Sequence, residues 1–424
     1  MTTSKKLLMV TTSYPYGQAE SFVTAELEHI APYFDEIELV PSYFAPHSAP
    51  RPVGQAVNLA YATKRWGVLR KLHVTRSFFG ALVKYRWFDE AVRIARHAHR
   101  VENVKELARA LYRARLFERF LEAQFVEHGK AFDVIYFYWM VPEIMGAIGF
   151  RQSSRLPMKI VARAHGGDLY EDRKAGGYAG LRDAIAAGID DIYCISGHGK
   201  AYLDQRYPAL AQKFHTARLG VNDPGYLNEQ PDDTALSIVS CSFVVEGKRL
   251  HLIVEALEYL LDRDPAIKLR WTHIGDGELY DQLRALAHAR LRDRAQVVFT
   301  GYLTQPQVAS LYRQQRFDVV VNVSDCEGIP VSLMEASSAG IPMLATDVGG
   351  NGEIVNAHNG ILIAADADVR TIACALARFA DRPLAGNYRR AARSTWDARF
   401  NARVNYNRFG QQLAGLAAPR AHVA

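Results

Sequence analysis

The chain's pattern predicts an α/β fold of two doubly wound parallel sheets, and three observations carry that expectation. Short apolar runs alternate with amphipathic helical stretches over nearly the whole length, as strands joined by crossover helices do. One polar, aperiodic segment, NDPGYLNEQPDDT at 222–234, divides the alternation in two and reads as a linker. The 424 residues are 49% hydrophobic and 23% charged, a globular composition that excludes disordered, collagenous and low-complexity classes.

Taken in order, the first domain spans 1–225. It opens with LLMVT at 7–11, an apolar run short enough for a strand and too short for the core of a signal peptide. EIELV at 36–40 alternates with period two, VIYFY at 134–138 is continuously apolar, and further strands fall at 159–164, 192–195 and 216–219. A basic helical insert occupies 51–128, where Ile94, Val101, Val104, Leu107, Leu111 and Phe120 recur at helical spacing. The second domain, 235–385, repeats the scheme with strands at 236–241, 268–274, 297–300, 319–323, 343–345 and 361–363. Residues 386–424 are helical, and 400–416 belongs to neither core by pattern. Two such domains are expected to face each other, with ligands outside the carboxyl ends of the strands.

The net charge is +6, but residues 51–119 alone hold sixteen Lys or Arg against five Asp or Glu. Lys64-Arg65-Trp66 and Lys84-Tyr85-Arg86-Trp87-Phe88 interleave cations with rings suited to an anionic membrane surface, and a solvated helix face is the plainer alternative. Nucleic acid is not expected, because the short recognition signatures of its binding modules are missing here. Cys194, Cys241, Cys326 and Cys374 are widely spaced, which argues against a disulfide framework or zinc ribbon and fits a reducing, cytoplasmic compartment. The most apolar window, 134–150, is interrupted by Pro142 and Glu143, so no transmembrane helix is expected.

The densest chemical signal is EGIPVSLME at 327–335, following a strand and opening a helix near Pro330. A helix N-terminus favours an anion, and a carboxylate farther along can accept both hydroxyls of a ribose. A nucleotide diphosphate satisfies both demands. Lys248-Arg249 opens the helix after the strand at 236–241, where two cations would oppose the helix dipole unless an anion lay between. Gly275-Asp276-Gly277-Glu278 is a glycine turn that allows close backbone approach; without a third glycine it is no dinucleotide fingerprint. In the first domain His165-Gly166-Gly167-Asp168 follows a strand, and Gly17 to Phe22 forms the loop after strand one. Ser196 reads as a helix cap. Asp366-Ala367-Asp368 fits a metal-binding pattern but lies past the last strand, so no metal is expected.

The stretch EGIPVSLMEASSAGIPMLATDVGGNGEIV, 327–355, resembles the carboxylate, seven residues, carboxylate signature of family-4 retaining glycosyltransferases, and the likeness extends over nearly the full chain. YPYGQAESF, RAHGGDLYED and WTHIGDGE are similar to members making bacterial exopolysaccharide of the colanic-acid type. The resemblance implies the GT-B fold and a final helix returning to the first domain. It implies a sugar moved from a UDP- or GDP-linked donor to a glycan or polyprenyl-linked acceptor, without a cofactor, at the inner face of the cytoplasmic membrane. Glu335 would bind the donor ribose, Glu327 the transferred sugar, and Lys248 with Arg249 the diphosphate. Gly275, Gly277, Tyr302, Gly328, Ile329, Pro330 and Leu333 would line the nucleotide site. His165 would bond the donor sugar, and Gly17, Glu20 and Asp168 would meet the acceptor. The family more often shows an arginine six residues before the lysine. Ser242 stands there, and Arg249 is the residue expected to take over that charge. A catalytically silent subunit of the same fold, a nucleotide-sugar epimerase and a phosphorylase are the rival readings.

Overall fold

The computed structural model describes residues 4–17, 20, 22–43, 49–66, 87–96 and 99–417. The chain divides into two compact units: residues 1–217 with 406–424, and residues 218–405.

Unit 1 is built on a seven-stranded sheet, entirely parallel, in the order β3-β2-β1-β4-β5-β6-β7. Its strands are β1 (Lys6–Thr11), β2 (Glu36–Pro41), β3 (Ala56–Val57), β4 (Val134–Phe137), β5 (Lys159–Ala164), β6 (Asp191–Cys194) and β7 (Phe214–Thr216). The continuous apolar runs read from the sequence are the ones buried on both faces. In β1, Leu8 and Val10 face one core while Leu7 and Met9 face the other, and β4 splits its residues the same way. Helices Arg100–His128 and Glu143–Ser154 cover the first face. Gly146 lets them touch: a Cβ there would stand 2.2 Å from the Ala114 carbonyl oxygen. The second face is covered by the helix Val23–Ile30 and by the last helix, Ala402–Leu416, whose Phe409 and Leu413 are fully buried in the unit 1 core. Burying such side chains stabilises by about 1.5–3 kcal/mol each.

Two readings of unit 1 change. The strand expected at 216–219 is β7, Phe214–Thr216. Phe214 is the buried residue that pairs with Ile192, and the chain leaves the sheet at Ala217, whose carbonyl accepts from the buried Arg163. Among the described residues the helical insert holds three helices, Ala60–Trp66, Trp87–Ala95 and Arg100–His128. Ile94, Leu107, Leu111 and Phe120 are buried, whereas Val101 and Val104 are 62% and 56% exposed. The interleaved aromatic and basic groups at 64–66 and 84–88 lie outside the described side chains.

Unit 2 holds a six-stranded parallel sheet, β10-β9-β8-β11-β12-β13. The strands are β8 (Leu236–Cys241), β9 (Leu269–Ile274), β10 (Ala295–Phe299), β11 (Val319–Asn322), β12 (Met343–Thr346) and β13 (Gly360–Ile363). The segment expected to be a linker is pinned to unit 2. Asn228 is buried, its N–H donates to the Ala339 carbonyl, and its side-chain amide donates to the carbonyls of Tyr312 and Gln315. The two ends of unit 2 meet: Val221 and Asn401 form an isolated parallel bridge, and a Cβ on Gly220 would lie 2.5 Å from the Ala402 Cα.

Candidate active site

Both sheets reverse strand order once, between β1 and β4 in unit 1 and between β8 and β11 in unit 2. At such a point neighbouring loops leave in opposite directions and open a crevice at the carboxyl ends of the strands. The chemically distinctive side chains of each unit lie there.

In unit 2 the loops leaving β8 and β11 are joined by an ion pair. Lys248 Nζ stands 2.5 Å from Glu327 Oε1, an oxygen that also accepts from Asn322 Nδ2 at 3.0 Å and from Ser324 Oγ at 2.8 Å. Glycines pack this region from both sides. A Cβ on Gly275, whose φ is +144°, would lie 1.8 Å from the Ser242 carbonyl oxygen, and one on Gly277 would lie 2.5 Å from that of Val244. Gly275 and Gly277 are thus required for the β9 turn to nest on the β8 loop. On the other side, Gly349 and Gly350 rest on the carbonyls of Glu327 and Gly328, where Cβ atoms would come within 1.9 and 2.4 Å.

Pro330 precedes the helix Val331–Ser338, and no side chain caps that N-terminus. Gly328 is half-buried at its approach. Ile329 and Leu333 are core side chains, 5% and 0% exposed. Glu335 lies in the second turn, half-buried, and accepts from Gln305 Nε2 at 3.2 Å. Burial pushes its carboxyl up to about 7, against the opposing effect of the Gln305 amide. Tyr302 follows Gly301, a left-handed residue whose carbonyl accepts from the Gly275 N–H at 2.9 Å.

Arg249 is anchored to backbone carbonyls. It adopts φ +48°, and its guanidinium donates to three carbonyls: Val323 at 2.8 Å, Ser324 at 3.1 Å and Ala365 at 2.9 Å. It ties the end of β11 to the segment after β13, and its donors face backbone instead of a phosphate. Asp368 is the N-cap of the helix Val369–Ala377, accepting from the Thr371 N–H.

In unit 1, Glu20 is 5% exposed, at φ +59°. Its Oε1 accepts from the Thr12 N–H at 3.0 Å and from Trp139 Nε1 at 2.5 Å. Its Oε2 accepts from the N–H groups of Ser13 and Tyr14, at 2.7 and 2.8 Å, and from Ser13 Oγ at 3.3 Å. A carboxylate holding five donors fixes the loop that follows β1. Gly17, left-handed and exposed, gives its carbonyl to Arg51 Nη2. Asp168 is likewise buried. It accepts from the N–H groups of His165 and Met140, both at 2.6 Å, at the start of the short helix Gly166–Leu169, and burial raises its carboxyl to about 6. The alternative foreseen for it, a cap, is what it does. Ser196 also caps as expected, accepting from the Gly199 N–H at 3.0 Å.

His165 is 5% exposed, and both its ring nitrogens are buried without a hydrogen-bond partner among the described residues. Burial, with the positive charge of Arg163, holds its pKa well below 6.5, so the imidazole is neutral. The sequence reading missed Trp139, Gln305 and Phe243. Phe243 is 62% exposed in the β8 loop, and Trp139 directly follows the apolar run 134–138. The Thr304-to-Gln307 capping box was the available signal for Gln305.

Residues 236–382 match the family described as Glycosyl transferases group 1, so unit 2 carries that domain. The chain is 27% identical over 220 residues to the amylovoran biosynthesis glycosyltransferase AmsK of Erwinia amylovora, covering 49% of this chain and 52% of that protein. It thus spans about half that relative's length. Among solved structures, the apo form of the lipopolysaccharide outer core galactosyltransferase WaaB matches with TM-score 0.64 and 15% identity, over 97% of this chain and 99% of the other. Alr3699/HepE of Anabaena, solved in complex with UDP and glucose, matches with TM-score 0.63 and 16% identity, over 97% and 99%. The fold, two Rossmann-like units with C-terminal helices, is the GT-B fold.

Proposed function

We propose that this protein is a retaining glycosyltransferase of bacterial exopolysaccharide assembly, moving a hexosyl group from a nucleotide diphosphate donor to a lipid-linked or polysaccharide acceptor. The observation that carries the reading is the Lys248–Glu327 pair at the strand-order reversal of unit 2, with Glu335 farther along the helix that follows. An ammonium offers three donors, so Lys248 can hold Glu327 and still neutralise a leaving diphosphate oxygen. The uncapped N-terminus of the helix Val331–Ser338 adds N–H groups that favour the same anion. Glu335 accepts the ribose hydroxyls, and Glu327 orients hydroxyls of the transferred sugar. In unit 1 the nitrogens of His165 suit hydrogen bonds to a sugar hydroxyl.

The donor is a UDP- or GDP-sugar, and the presence of UDP and glucose in the complex of the similar Anabaena protein supports trying UDP first. The acceptor side works from the cytoplasmic face of an anionic membrane through residues 51–119. Exposed Val92, Val101 and Val104 beside Arg96, Arg100 and Lys105 support that part. Titration calorimetry of the whole chain with UDP and GDP tests the donor reading. Wild type binds one of them, and Glu335→Ala loses about 1.5–3 kcal/mol, or roughly ten- to a hundredfold in Kd. Unchanged binding by Glu335→Ala removes the assignment.

One observation favours a second reading, a catalytically silent subunit: Ser242 replaces the family's arginine, and Arg249 is committed to carbonyls. If neither nucleotide binds while anionic vesicles do, that reading prevails.

A further inference from the structure

An imidazole is ordinarily set in place by a hydrogen bond at one of its nitrogens. His165 has none at either among the described residues, yet it is buried. Aromatic rings surround it instead: Trp139 at a centroid distance of 4.2 Å and 37° between planes, Tyr138 at 5.0 Å and 34°, and Phe22 at 6.4 Å. Trp139, the nearest, is half-buried just after β4 and also touches Phe22 and Tyr138. Its Nε1–H is bound by Glu20. The Glu20 backbone is in turn held, since its carbonyl accepts from Arg51 Nη1 at 3.3 Å, and the other four donors on its carboxylate belong to Thr12, Ser13 and Tyr14 of the β1 loop.

We propose that Trp139 and Glu20 are positioning residues for His165: the carboxylate fixes the indole through its N–H, and the indole fixes the imidazole by packing against its ring. The inference rests on the reading of His165 as a sugar-contacting residue. Such an arrangement orients the ring through its faces and leaves both nitrogens, one donor and one acceptor in the neutral form, for substrate. It also joins the loops of the two strands that flank the reversal, β1 and β4, so that the imidazole's place depends on both.

The test uses the full chain labelled with 13C and 15N histidine, with the His165 ring signals identified by their loss in His165→Gln. Neighbouring rings shift those signals. Trp139→Ala is expected to move them strongly. Glu20→Gln is expected to move them in wild type and to add nothing in the Trp139→Phe background, where the N–H it acts on is already gone. Equal effects of Glu20→Gln in both backgrounds, or no movement in Trp139→Ala, overturn the inference. If Glu20→Gln does not fold, Trp139→Phe against Trp139→Ala decides whether the indole holds the ring.

Turnover of UDP-glucose and GDP-mannose, read as nucleotide release, gives the second readout. Trp139→Ala should lower kcat by about ten- to a hundredfold, as misplacement of a catalytic group does, with KM unchanged. An inactive His165→Gln beside a Trp139→Ala with wild-type kcat sinks this inference alone. A His165→Gln with wild-type kcat sinks the role given to His165, and the ring signals then judge the positioning by themselves.

Discussion

Glu335 carries a charge state that can be read out. Its carboxyl titrates near 7 in the folded chain, against an ordinary 4.5. The folded pKa is the raised one, so the stability it contributes is full below pH 4.5 and is lost as pH rises through about 7. Glu335→Gln should therefore melt higher than wild type at pH 8, by a difference on the order of 1–3 kcal/mol, and show no such gain at pH 4.5. Ribose hydroxyls bound to the carboxylate favour its charged form, so nucleotide affinity should tighten from pH 6 to pH 8, with proton release in calorimetry; a flat profile would remove Glu335 from the site. Gln305→Ala should move that transition upward, because the amide is what opposes burial. At this scale the sequence showed which residues bear chemistry and concealed how they are spent. Glu20 and Arg249 read as ligand groups because charge beside a strand end invites a ligand. In both cases backbone groups of neighbouring loops, distant in sequence, had claimed the charge first. Arg249→Lys should consequently cost stability, about 1–3 kcal/mol for lost carbonyl bonds, more than it costs nucleotide affinity.

Elements were legible where burial on both faces wrote them as unbroken apolar runs, as in β4 and β11. Their limits slipped where burial is partial. β3 is two residues long and has no pattern to show, and helical spacing predicted Val101 and Val104 to be core although that turn of the helix Arg100–His128 faces solvent. The same turn is the place to test the membrane reading. Replacing both valines with glutamate should leave the melting temperature within the range of surface changes and weaken binding to phosphatidylserine vesicles, with each lost neighbouring cation effect near 1 kcal/mol. Unaltered vesicle binding would argue for the solvated face. Deeper in, Gly146→Val should destabilise unit 1 by about 1–3 kcal/mol or more, since no rotamer relieves a clash with the Ala114 carbonyl. Chemical denaturation reads that loss directly.

For the molecule as a whole, alternation along the chain was enough to assign two parallel sheets, but not to place 400–416, because an amphipathic helix does not say which core it completes. Phe409 and Leu413 answer that question by burial against β4 and the helix Val23–Ile30. Phe409→Ala should lower the stability of unit 1 by about 3–5 kcal/mol and leave hydrogen-exchange protection in unit 2 unchanged. Equal loss in both units would show that they unfold as one. The meeting of Val221 with Asn401 has a further consequence. A continuous segment whose two ends lie side by side can be exchanged as one piece. Residues 218–405 are therefore the natural cassette for a chimera: grafted between the same two junctions of another chain of this fold, they should bring their own nucleotide preference with them.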